Sequence, residues 1–342
     1  MILSVTTLKD SLANVRKLVS RNLNGGIDHL VVFLDAEQPE VEELLSAHPD
    51  VTCVKAYDEW WDQRPDNLNQ RQSTNSGLLS RMLDGYDWAR WLVHIDGDEV
   101  ARLDRAALEA VTPDWKAVRL EPLEAVARMH PDSDPVLFKR LLTEDELVLL
   151  ATLGLVAKPT NRTYFRGHVV GKLAVRPSKQ LALTIHKAVT AGQEKVPVLH
   201  DGRQHVLHYE SPNGDEFVRK WVALLTSGDV VRQRGPRAPL ARALDALLGL
   251  GLGEADTAHF AQVIYERHAV DDVDTLDRLG FLVRTDADAP SPAREPFPDS
   301  AKQELRALVD RFRREPKRPF RPSAPGPQAV RSVERVHRDL GR

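Results

Sequence analysis

The residues best placed to do chemistry stand in Trp91-Leu92-Val93-His94-Ile95-Asp96-Gly97-Asp98-Glu99. An apolar segment with strand character runs straight into three acidic residues. Side chains at i and i+2 of an extended chain share one side. Asp96 and Asp98 can therefore offer two carboxylates to one point just past a strand end. Hard oxygen ligands of this kind suit Mg²⁺ or Mn²⁺, ions that usually hold substrate phosphates as well. Gly97 lets the backbone bend closely around a ligand. The spacing is weak by itself. Asp-x-Asp recurs at Asp132/Asp134, Asp272/Asp274 and Asp286/Asp288 with no comparable strand before it, and there it reads as a solvated turn.

The elements that must hold this turn are legible upstream. Ile2 to Val5 reads as a strand, and Leu12, Val15, Val19 and Leu23 keep a helical period that Gly25-Gly26 stops. Leu30 to Leu34 is a continuous apolar strand ending in Asp35, and Pro39 opens a short helix. Val51 to Ala56 is a third strand, and Asn67 to Leu83 a helix. Strands separated by helices predict a mainly parallel sheet covered on both faces, whose ligands bind outside the carboxyl ends of the strands. Farther on, Ala117 to Leu120, Thr163 to Phe165, Lys172 to Val175 and Leu181 to Ile185 read as strands. Helices are expected near 215–227, 239–249, 256–268 and 300–314.

The chain has 342 residues, 42% hydrophobic and 28% charged, a composition that can bury a sizeable core. Its net charge of −3 is unevenly spread, because Arg311 to Arg342 carries ten Lys/Arg against three Asp/Glu. The single cysteine, Cys53, sits in an apolar stretch as a small hydrophobe and fits a reducing compartment. No leader is visible, and the longest apolar run, Leu147 to Ala157, is too short to span a bilayer. A cytoplasmic protein is expected.

In order, these features resemble a family 2 glycosyltransferase of the GT-A fold, near the branch shared with family 92-like enzymes. The resemblance rests on the opening strand and helix, Gly26 to Leu30 with Asp35, and Asn69 to Leu78. It continues through His94 to Glu99, Gly167-His168 with Gly171-Lys172, and His208-Tyr209 before a helix ending near Lys220. Thr7-Leu8-Lys9-Asp10 matches the family's acidic position after the first strand only through Asp10, and Asp35-Ala36-Glu37-Gln38 departs from its Asp-Asp-Gly-Ser run. The resemblance implies an α/β, GT-A-type, mainly parallel sheet flanked by helices, with a helical C-terminal extension. Residues 1–225 would form the catalytic domain and 226–285 a helical extension. Residues 286–342 would be a Pro/Arg-rich linker, one helix and a disordered basic tail.

It also implies transfer of a sugar, with inversion, from a nucleotide-diphosphate sugar (a UDP-sugar favoured) to a glycan, lipid or protein acceptor, with Mn²⁺ or Mg²⁺ and no nucleic acid. Asp98 would ligate the metal, Asp96 the metal or the ribose, and His208 would join as a further ligand from far along the chain. Asp35 reads either as a nucleoside contact or as an ordinary strand-to-loop Asp. Arg71, Gln72 and Asn75 would meet phosphate and nucleotide, or form a solvated polar face. Lys172 is a phosphate contact or a surface lysine. Glu121 and Glu124 are the candidate general bases, with Asp201 a third. Trp60 and Trp61 would stack on a sugar or base, or fill core. The basic tail would touch anionic headgroups at the inner face of a membrane, or stay solvated. A nucleotidyltransferase, a metal hydrolase and a degenerate binding protein of the same fold are the competing readings.

Overall fold

The computed structural model describes residues 1–57, 59–226, 237–290, 296–324 and 326–341. Asp58, residues 227–236 of the expected helical extension and residues 291–295 of the expected linker lie outside the described residues.

The alternation expected of the N-terminal region is present. It runs β1 (Ile2–Leu8), α1 (Leu12–Asn24), β2 (His29–Leu34), α2 (Pro39–Ala47), β3 (Val51–Lys55), α3 (Leu68–Met82) and β4 (Trp91–His94). Next come β5 (Glu99–Arg102), α4 (Arg105–Glu109), β6 (Ala117–Ala125), β7 (Leu137–Lys139), α5 (Glu144–Thr152) and α6 (Asn161–Tyr164). β8 (Lys172–Val175), β9 (Leu181–Leu183), β10 (Ala188–Thr190) and β11 (Leu199–His208) follow, then α7 (Gly214–Thr226), α8 (Arg237–Gly249) and α9 (Glu254–His268). The chain ends with α10 (Val273–Arg278), β12 (Leu282–Arg284), α11 (Asp299–Arg313) and α12 (Gly326–Asp339).

These elements form two compact units. The first takes Met1–Glu121, Gly171–Val206 and Ala287–Arg342, and the second takes Pro122–Val170 and Leu207–Asp286. The units are interleaved along the chain, unlike the serial division at 225 and 285, because β6 and β11 each begin in one unit and end in the other.

In the first unit the strand order is β3-β2-β1-β4-β8-β6. β1, β2, β3 and β4 pair in parallel, and β8 runs antiparallel to both β4 and β6. The α/β class holds, with a mainly parallel sheet flanked by helices that is consistent with a GT-A-type arrangement. Alternation along β2 distributes the two faces. Leu30, Val32 and Leu34 join a core with Val15, Leu18 and Val19 of α1 and Val41 and Leu45 of α2. Val31 and Phe33 join another with Leu78, Leu79 and Met82 of α3.

That second core also contains the C-terminal segment, which corrects the expectation of a disordered tail. Leu305, Leu308, Val309 and Phe312 of α11 and Ala329, Val333 and Val336 of α12 are buried in it. Their helical spacing puts the large apolar side chains on one face, with most of the arginines outside it. Composition averages the two faces and so misses the helix.

In the second unit the end of β6 pairs with β7 (Glu124 opposite Lys139), and β7 pairs with β12. Phe217, Trp221, Leu244, Leu247, Ala261 and Tyr265 of α7, α8 and α9 form one core. Leu147 and Leu150 of α5 pack with Tyr164, Phe165, Leu276 and Phe281 in another. The strand expected at Thr163 to Phe165 is instead helix α6 and its exit. Thr163 Oγ1 donates to the carbonyl of Lys158 at 2.5 Å, a local side-chain bond of the kind that favours turns over sheet ladders. Among the described residues no helix is long and apolar enough to cross a membrane.

Candidate functional site

The order β3-β2-β1-β4 contains a reversal. From β1 the chain steps to β2 and β3 on one side, then crosses to β4 on the other. The connecting helices diverge accordingly, with α1 and α2 on one face and α3 on the other. This reversal, beyond the carboxyl ends of β1 and β4, is the place where open α/β sheets take ligands. Asp10 follows β1 there, and Asp96 and Asp98 follow β4.

The β4 end is built as a braced turn. Ile95 N–H donates to the carbonyl of Val5 at 3.1 Å, which extends the β1–β4 ladder to the lip. Asp96 N–H donates to Glu99 Oε2 at 2.8 Å, and Glu99 N–H to the carbonyl of Asp96 at 3.1 Å. Lys172, on β8 and fully buried, donates to Asp96 Oδ2 at 2.5 Å and lies 3.1 Å from Glu99 Oε2. Burial opposes the charge on Lys172, but the carboxylates of Asp96 and Glu99 outweigh it and hold its pKa above the ordinary value. Gln72 Nε2, from α3, donates to Asp96 Oδ1 at 2.8 Å. Both oxygens of Asp96 therefore have partners, and its side chain is 23% exposed.

Asp98 stands half-buried at the outer part of the same turn. A Cβ built on Gly97 would lie 4.0 Å from Asp10 Oδ2, so the turn runs alongside Asp10. The other oxygen of Asp10 accepts from Ser11 N–H at 2.7 Å and Asn14 Nδ2 at 3.0 Å. Asp10 is the site residue that sequence reasoning undervalued. Its signal was its position just after the first strand, masked by the mismatch of Thr7-Leu8-Lys9 to the family's pattern.

Lys172 is thus neither a surface lysine nor aimed at a free phosphate; it braces the acidic turn from behind. Asp35 and Arg71 come together as a buried pair. Arg71 Nε and Nη2 reach Asp35 at 2.9 and 2.8 Å, and Nη1 donates to the carbonyls of Pro65 and Asp66. Arg64 adds a second cation 3.0 Å from Asp35. A phosphate meeting Arg71 would have to break this pair. Asn75 is fully buried, taking the Trp60 indole N–H at 3.0 Å and giving a bond to Thr7 Oγ1 at 2.9 Å. Trp60 is core, while Trp61 is half-buried and donates to the carbonyl of Ala56. Burial pushes the Cys53 thiol up to about 11, which fits a packing role.

Glu121 belongs to the first unit and Glu124 to the second. β8 sets Val93 opposite Ala174, and Ala174 opposite Val118. β4 and β6 therefore run in the same direction two strands apart, and Glu121 comes out at the sheet end where Asp96 does. Two strand spacings are about 10 Å. Beside Glu121, burial pushes the His205 imidazole below its ordinary range against the pull of that carboxylate. Asp201 is held by Arg203 through bonds of 2.8 and 2.9 Å, which keep its pKa low.

Glu124 is a poor proton acceptor. Burial raises its pKa, but Lys139 at 2.8 Å, His208 and the N–H groups of Arg166 and Gly167 at 2.7 and 2.6 Å outweigh that and hold it below the usual value. His208, in the same second unit, stacks on His168 with centroids 4.8 Å apart and has Nε2 3.4 Å from Glu210. A Cβ on Gly167 would come within 2.2 Å of the His208 ring, so only glycine fits there.

The metal implied by the resemblance can be tested on donor chemistry. Asp98 and Asp10 supply hard carboxylate oxygens at this sheet end, a fit for Mg²⁺ or Mn²⁺. Asp96, neutralised by Lys172, fits a hydrogen-bonding or bracing role better than direct ligation.

No protein-family model matches the sequence, and no curated protein matches it. Among solved structures, an apo structure of WbbM, described as a bifunctional glycosyltransferase, is similar with a TM-score of 0.24 and 16% identity over 51% of this chain. The match spans 31% of the WbbM chain, about a third of its length. HddC from Yersinia pseudotuberculosis is similar with a TM-score of 0.29 and 10% identity, over 64% of this chain and 97% of that one.

Proposed function

We propose that this protein binds a nucleoside-diphosphate sugar beyond the carboxyl ends of β1 and β4 and transfers the sugar, with inversion, to an acceptor hydroxyl. The observation that carries the reading is the placement of Asp10 just after β1, and of Asp96 and Asp98 just after β4, at the strand-order reversal between those strands. Asp98, with Asp10 beside its turn, would hold a divalent metal. Bound there, the metal would stabilise the charge on the departing diphosphate. Lys172, Glu99 and Gln72 fix the turn so that its carboxylates need little reorganisation when the donor binds. Asp96 would accept a hydrogen bond from the donor's ribose. Glu121 would take the proton of the acceptor hydroxyl from across the sheet end.

The test is a thermal melt with UDP and other nucleoside diphosphates, with and without Mn²⁺, on the wild type and Asp98→Asn. A ligand that binds only the folded protein stabilises it, by about 2.7 kcal/mol at a hundred times its Kd. The wild type is expected to gain stability only when nucleotide and metal are both present, and the variant to gain none. A wild type indifferent to every nucleoside diphosphate with metal would overturn the reading.

A further inference from the structure

We propose that the outward face of α5 is a docking surface for an anionic lipid bilayer. α5 is fixed at its start by a capping box in which Thr143 and Glu146 bond each other's backbone N–H. Leu147 and Leu150 point into the second unit's core. The opposite face should be polar in a helix at a water surface. Instead Val148, Leu149 and Leu153 stand there 49%, 42% and 52% exposed. From Leu147 to Ala151 the helix is apolar all round, the pattern of an element covered on both sides.

Charge identifies the cover. From Leu147 to Val170 the chain contains no Asp or Glu, while Lys158 and Arg162 are exposed just beyond the apolar face. Acidic residues are confined to the helix start. Glu146 is paired there with Arg140 at 2.8 Å, while the exposed Glu144 and Asp145 lie about 6 Å along the axis from Val148 and Leu149 and about 12 Å or more from Leu153. Aliphatic side chains with cations beyond their C-terminal end are what a helix can present to anionic headgroups, the acidic first turn tilting away into water. A second protein is a poorer fit, since a specific interface takes roughly 20–30 residues a side and this face is part of one short helix with its following loop.

The experiment is flotation of the full chain with vesicles of phosphatidylcholine alone or of phosphatidylcholine mixed with anionic phosphatidylglycerol, whose negative surface potential attracts basic side chains. The wild type is expected to float with the anionic vesicles at least tenfold better than with the neutral ones, and less at high salt. The Leu149→Asp/Leu153→Asp variant, which alters only exposed positions, should keep the wild-type melting temperature and lose flotation at least tenfold. A control reverses the exposed arginines of α12 (Arg331, Arg335 and Arg338 to Glu) and should float like the wild type. Flotation lost only in that control would move binding to the C-terminal helix and overturn the proposal. So would a wild type that ignores both vesicles, or a double variant that floats unchanged. A wild type that runs as a dimer, and a double variant that runs as a monomer, would show that a second copy covers the face instead.

Discussion

Two strand ends of the same sheet carry aspartates that look alike in the sequence, and the fold treats them in opposite ways. After β2, Asp35 is 6% exposed and clamped by Arg71 and Arg64. After β4, Asp96 is bound by one buried lysine and a glutamine amide, and the turn passes Asp10 at Gly97 and goes on to the half-buried Asp98. Two guanidiniums neutralise the first carboxylate inside the protein and leave it little to offer a cation. The second end sets Asp96 and Glu99 on one buried lysine and carries a further carboxylate, Asp98, half-buried at the lip. Acidic side chains at strand ends therefore divide into those that tie the sheet to its loops and those placed to meet a ligand, and the internal cations decide which is which.

Removing those cations should have the largest effects. Arg71→Met leaves Asp35 buried without its main partner, and Lys172→Met strands Asp96 and Glu99 together. Breaking a buried pair by deleting one partner costs about 3–5 kcal/mol, so urea denaturation should show both variants strongly destabilised. The comparison sharpens in nucleotide binding, measured calorimetrically on the folded fraction. Lys172→Met should weaken it, because the turn loses its brace, and Arg71→Met should leave it within a factor of two or so. The reverse outcome would make the β2 end the ligand site.

Next in size is loss of chemistry without loss of fold. Asp98→Asn should lower kcat/KM for sugar transfer about a hundredfold or more, since a metal's charge stabilisation amounts to several kcal/mol. Its melting temperature should stay near the wild type's, because a half-exposed turn position contributes little to stability. Glu121→Gln should reduce kcat by about a hundredfold, the usual contribution of a general base, with the KM for the donor unchanged. An equal loss in Glu124→Gln, without destabilisation, would shift the base to the second unit.

The β4 turn was legible because its signal is local: a strand-like apolar run, then Asp-Gly-Asp-Glu within one turn. The parallel order and the α/β class were legible for the same reason, through the alternation from Ile2 to Ile95. What defines the other residues is long-range. Arg71 finds Asp35 36 positions away and Asn75 finds Thr7 68 away, so each reads as a polar helix face until the sheet brings its partner to it. Lys172 reads as a surface lysine because a sequence shows neither β8 between β4 and β6 nor the two carboxylates it serves. The C-terminal segment misled in the other direction, its net charge hiding a helical period that buries Val333 and Val336.

The smallest effect separates the two buried lysines. Lys172 faces two carboxylates and its pKa is raised. Lys317 lies 4.1 Å over the Trp60 ring and donates to the carbonyls of Arg313 and Glu315. Burial depresses it to about 8 from 10.5, against the pull of Asp62 and Glu315. Between those two pH values the unfolded chain holds a proton that the folded one has released, so this group makes stability rise with pH across that window, and below it the contribution is flat. Lys172 has the opposite sign: its contribution is full throughout that range and is lost as pH rises from 10.5 through its raised value. Cys53 and the buried tyrosines titrate in alkali as well, so the readout is a difference. Urea unfolding of wild type and Lys317→Met from pH 7 to 10.5 should show the wild type gaining stability relative to the variant as pH rises, the variant lacking a slope of up to one proton. Parallel curves would mean that Lys317 stays charged in the fold, held by the ring and the carbonyls as firmly as Lys172 is by its acids.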